Sequence, residues 1–151
     1  MKLSTLAAWT VIPALCAHAD WAPFDSNTSE CQQCMPGQGQ GIMLYTEDDI
    51  RGFCRKIMDA CADGQVDKVT HKADKGEGGN VGFLWEPKAT EGNNACPSSM
   101  DLCFGSVNGV RAGQCPTNAV TASGIIQLST GGDAGLVEIF GSCFCASPST
   151  C

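Results

Sequence analysis

Histidine is almost missing from this chain of 151 residues: there are two, His18 and His71. That scarcity works against a histidine-built metal centre and against chemistry that needs two histidines to move a proton. Basic residues are also few, 9 Lys and Arg against 16 Asp and Glu, for a formal charge of −7. A basic surface for nucleic acid or an anionic membrane therefore has little to be built from. Aromatics make up only 7% of the residues. Trp21, Trp85, Tyr45 and the phenylalanines must also fill a core, which leaves too few to line the groove of a paired-carboxylate glycosidase. No stretch approaches about 18 consecutive apolar residues, so a membrane anchor is not expected. There is no G-x-S-x-G, and His71 would be the sole base for a Ser-His-Asp triad.

What is present begins with Met1, Lys2, an apolar run from Leu6 to Leu15 and the small-residue site Ala17-His18-Ala19. This is the pattern of a secretory signal peptide over 1–19, leaving 20–151 as a single secreted domain. Loss of Lys2 takes the charge from −7 to −8. Loss of Cys16 takes the 11 cysteines to ten: Cys31, Cys34, Cys54, Cys61, Cys96, Cys103, Cys115, Cys143, Cys145 and Cys151. An even set in a secreted chain predicts five disulfides, whose pairing the sequence does not reveal. The C-x-x-C of Cys31 and Cys34 and the C-x-C of Cys143 and Cys145 invite a metal reading. An oxidising compartment opposes it, and the remaining histidine, His71, has no partner at ligand spacing. No metal and no cofactor are expected, and an oxidised set supplies no cysteine nucleophile.

The best local signal is Thr46 to Gly64. Thr46 suits an N-cap, Glu47, Asp48 and Asp49 favour the first turn, and Gly64 suits the C-terminal end. Ile50, Phe53, Cys54, Ile57, Met58 and Cys61 form one apolar stripe at helical spacing. Before it, Asp20 to Gly41 reads as an irregular, turn-rich arm carrying the glycosylation sequon Asn27-Thr28-Ser29. Ile42 to Tyr45 reads as a short strand. After it come a weakly alternating edge strand within Gln65 to Asp74, a glycine-rich turn at Gly76 to Asn80, and the strand Val81 to Trp85. Lys88 to Asn94 reads as a loop. Cys96 to Cys115 admits two readings. Met100, Cys103, Phe104, Val107 and Val110 recur at helical spacing, while Asn108-Gly109 suits a hairpin turn. The helix is preferred, its glycines permitting close packing. Gly124 to Ser129 and Leu136 to Phe140 form a β-favouring pair, followed by a loop-like tail from Cys143 to Cys151.

Two units of helix plus hairpin, Thr46 to Trp85 and Ser98 to Phe140, predict an α+β fold. The expected form is a disulfide-stapled two-layer sandwich, an antiparallel sheet of about four to five strands with two helices on one face. With that signal peptide, the helix FCRKIMDAC from Phe53 to Cys61, DLCFGSV from Asp101 to Val107, and the closing LVEIFGSC ending at Cys143, the layout resembles cysteine-rich secreted proteins of filamentous fungi. These are the killer toxins of smut fungi and the apoplastic effectors of leaf-infecting fungi. The resemblance implies a disulfide-stabilised α/β sandwich, usually without catalytic activity, acting on or hidden from a host or competitor organism.

The leading expectation for function is accordingly a secreted, monomeric binding protein whose partner is an extracellular protein or a cell-wall glycan, with neither nucleic acid nor membrane as partner. Trp85, next to Pro87 at a strand end, is a candidate contact, although core filling is its commoner role. The alternative is a small ribonuclease-like hydrolase using His71, Glu86 and Arg111. That set lacks a second proton carrier. A further alternative is a proteinase inhibitor presenting Asn93 to Ser98, braced by Cys96.

Overall fold

The structure, a computed structural model, describes residues 20–33, 41–43, 45–64, 66–74, 80–88, 95–112 and 119–144. The expected signal peptide at 1–19 lies outside the described residues. The chain runs β1 (Trp21–Gln33), β2 (Gly41–Met43), α1 (Glu47–Ala62), β3 (Val69–Asp74), β4 (Asn80–Pro87), α2 (Met100–Ala112), β5 (Ala119–Leu128), β6 (Asp133–Phe140) and β7 (Ser142–Phe144). The fold is α+β.

Helix α1 forms where its sequence says it should. Thr46 and Asp49 close a capping box: Thr46 N donates to Asp49 Oδ2 at 2.7 Å, and Asp49 N donates to Thr46 Oγ1 at 3.3 Å. Both satisfy donors that a helix start leaves unpaired, and the acidic first turn adds a favourable dipole interaction. Ile50, Phe53, Cys54 and Ile57 are its buried residues. The chain leaves the helix through Gly64 at φ 71°, the left-handed conformation that glycine adopts without a Cβ clash.

The ambiguous segment after Cys96 is helical. In α2, Cys103, Ser106, Val107 and Val110 are buried, and so are Gly105 and Gly109. The helix packs against β1 and β5 with these two glycines buried, although glycine is a poor helix former. Ser106 Oγ donates to the carbonyl of Ala22 in β1 at 3.1 Å.

Five strands form one antiparallel sheet in the order β1-β5-β6-β4-β3, and β2 pairs with β7 in a separate ribbon. The hairpins β3–β4 and β5–β6 meet where β4 pairs with β6. Helix α1 rests on β3 and on α2. Two disulfides between described residues brace the helices. Cys54–Cys103 joins the helices, and Cys61–Cys96 ties the end of α1 to the approach to α2.

Two parts of the chain differ from the sequence reading. The stretch expected to be an irregular arm is the 13-residue strand β1, paired along β5. Its polar residues and Pro23 hid it, because a strand at a sheet edge needs no apolar alternation on its open side and tolerates a residue without an N–H. The register shifts between Trp21 and Ser26, the interval that contains Pro23. The start of the tail, expected to be loop, is β7, made regular by its ladder with Gly41–Met43.

Candidate functional site

His71 stands on β3 opposite Phe83 of β4, and its ring lies beneath α1. The imidazole centroid is 5.9 Å from that of Phe83, whose own ring stacks on Phe53 at 5.2 Å and meets Tyr45 at 5.8 Å. A Cβ on Gly52 would sit 3.0 Å from His71 Nε2, so glycine at that position is what lets the helix pass over the ring. Among the described residues, Nδ1 is buried without a hydrogen-bond partner. Burial depresses the imidazole pKa, the Lys56 ammonium lowers it further, and the Asp49 carboxylate partly opposes them.

Glu86 follows Phe83 by three residues along β4, so the alternation of a strand turns it to the opposite side of the sheet. There it is exposed and accepts from Lys68 Nζ at 2.9 Å. His71 and Glu86 are therefore not brought together. Arg111 belongs to the last turn of α2, and its side chain lies outside the described residues.

Trp85 is not a surface contact. It is wholly buried, registered between Val69 and Val137, and meets Trp21 edge to face. Its neighbour Pro87 ends the strand, but period-two alternation sends the indole inward with Val81 and Phe83. The segment considered as an inhibitory loop is also tied inward over its described part. Ala95 and Pro97 are buried, the Ala95 carbonyl accepts from Trp21 Nε1 at 2.7 Å, and Ser98 N donates to Asp20 Oδ1 at 2.9 Å. Asn93 lies outside the described residues.

Of the cysteines, Cys54, Cys61, Cys96 and Cys103 form the two bridges above, and Cys31 on β1 is disulfide-bonded. Cys34, Cys115, Cys145 and Cys151 lie outside the described residues, as do the side chains of Cys143 and of the sequon residue Asn27. These bridges point to an oxidising environment. Among the described residues, no three His, Cys, Asp or Glu side chains gather as metal ligands. No helix there is long and apolar enough to cross a membrane.

The sheet offers one site that sequence reading missed. On the side turned away from Val137 and Ile139, β1, β5 and β6 form an open cleft of about 210 Å³, lined by Gln32, Thr121, Ala122, Ser123, Glu138 and Phe140. Register builds it: Thr121 pairs with both Gln32 and Phe140, and Ser123 pairs with Glu138. Phe140 is 40% exposed, the one large exposed hydrophobic among the described residues. Gly82 lies opposite it on β4, where a Cβ would touch the ring at 3.6 Å. The only sequence sign of this cleft is the outward phase of TxS and ExF in two paired strands, which becomes visible once β1 is known to be a strand.

No protein-family model, characterised protein or solved structure matches the chain. Its function must be read from this geometry.

Proposed function

We propose that the protein is a secreted, non-enzymatic binding protein of the effector or killer-toxin type, acting on an extracellular protein or glycan of another organism. One observation carries the reading: the groups that would have to cooperate in hydrolysis are separated by the sheet. His71 is packed against Phe83 under α1, and Glu86 is ion-paired to Lys68 on the other side. A general base must reach the proton it removes within hydrogen-bond distance, and these two cannot share one phosphodiester. The disulfides add support, since they suit a small domain that must persist outside the cell.

The test is to incubate the purified, oxidised chain and its Glu86→Ala variant with RNA. Neither is expected to cleave it. Cleavage by the wild type that disappears in Glu86→Ala would overturn the reading in favour of the ribonuclease-like alternative.

A further inference from the structure

We propose that the cleft on β1, β5 and β6 binds one uncharged sugar ring of a glycan chain, an assignment that rests on the binding-protein reading above. Two features select this chemistry. Phe140 presents an exposed aromatic ring at the cleft, 40% accessible and backed by the bare backbone of Gly82. The negative face of such a ring attracts the positive C–H edge of an apolar surface, and one side of a pyranose is a patch of axial C–H bonds. Around it stand Gln32, Thr121, Ser123 and Glu138. An amide, two hydroxyls and a carboxylate together supply donors and acceptors, which matches sugar hydroxyls that both give and accept. A few placed polar groups beside an apolar surface are the usual make-up of a small-ligand site.

Charge then narrows the ligand. Among the described residues the lining carries one carboxylate and no cation, within a chain of formal charge −7. Uronic acids and sulfated sugars would meet repulsion with no compensating partner, so the ring is neutral. At about 210 Å³ the cleft is sized for one ring, and it is partly open to solvent. The expected affinity for so small a contact is weak, a dissociation constant on the order of 0.1–1 mM.

The oxidised full chain, isotopically labelled, is titrated with laminarihexaose, cellohexaose, chitohexaose and mannohexaose, and with hexagalacturonate as the anionic probe. At least one neutral probe should give saturable amide shifts centred on Thr121, Ser123 and Phe140, and hexagalacturonate should give none. Phe140→Ala should weaken the binding at least tenfold and Phe140→Trp should restore it. Gln32→Ala, at an exposed edge position away from the core, should weaken it severalfold at an unchanged melting temperature. Binding that is indifferent to all three substitutions overturns this site but leaves the binding-protein reading intact. Failure of every neutral probe overturns the sugar and directs the search to a protein partner. Cleavage of a probe overturns the non-enzymatic reading itself.

Discussion

The rings of Trp21 and Trp85 meet edge to face, 5.5 Å between centroids and 65° between planes, and join the start of β1 to the middle of the sheet. Both are buried, yet their N–H groups are treated differently. Trp21 Nε1 donates to the Ala95 carbonyl, whereas Trp85 Nε1 has no hydrogen-bond partner among the described residues.

The same substitution should therefore separate them. Trp→Phe leaves a void at either position, but Trp21→Phe also strands a buried carbonyl, at a cost of about 1–3 kcal/mol. Trp85→Phe removes an N–H whose burial is already uncompensated. Trp21→Phe is expected to lose about 1–3 kcal/mol more than Trp85→Phe in urea unfolding. Equal losses would show that the Trp21–Ala95 bond contributes nothing net.

Gly135 sits where β6 passes Pro87 of β4, at φ 138°, next to the irregularity between Ile126 and Gln127 of β5. A Cβ there would collide with the Glu86 carbonyl and come within 2.9 Å of Pro87 Cα and of Trp85 Nε1. The first two of these are backbone and cannot swing aside. Gly135→Ala should cost roughly 2–5 kcal/mol, combining backbone strain with overpacking. A melting temperature within a degree or two of wild type would contradict that geometry.

The two bridges close loops of similar size, with sequence separations of 49 and 35. Chain entropy alone gives each about 4 kcal/mol. Their surroundings differ: Cys54 and Cys103 are wholly buried, while Cys61 and Cys96 are half-buried. Cys54→Ala/Cys103→Ala removes sulfur from the packed core as well as the crosslink, so it should lower the melting temperature more than Cys61→Ala/Cys96→Ala. The reverse order, measured on both double variants, would place the main brace at the helix end.

Physical causes divide what could be read in advance from what could not. Helix α1 was legible because cap, charge and apolar stripe all agree within one segment. The hairpins β3–β4 and β5–β6 were legible from alternation and turn residues. Strand β1 was not, because its regularity comes from the backbone of β5, far away in sequence, and not from its own side chains. The candidate site followed β1 into obscurity, since Gln32 joins Thr121 and Phe140 only through that pairing. His71, Glu86 and Trp85 could be listed by residue type, but their facings depend on strand phase. A shift of one residue exchanges core and surface for each.

His71 makes stability depend on pH in a direction its environment determines. Burial, aided by Lys56 and opposed by Asp49, holds the folded imidazole below the ordinary value of 6.5. The unfolded chain therefore binds the proton more tightly, and between 6.5 and the lowered folded value unfolding takes a proton up. Stability is full above 6.5 and falls as the pH drops through that window. Protonation would place a cation beneath α1 and against the Phe83 ring, near the Lys56 charge. His71→Gln keeps a polar side chain of similar reach but does not titrate. The loss of stability between about pH 7.5 and about pH 5 should be smaller in that variant than in the wild type, with carboxylate contributions common to both. Lys56→Met should also reduce it, by removing one cause of the depression. Parallel stability profiles for wild type and His71→Gln, from urea midpoints at each pH, would mean that the imidazole titrates alike in the folded and unfolded chains.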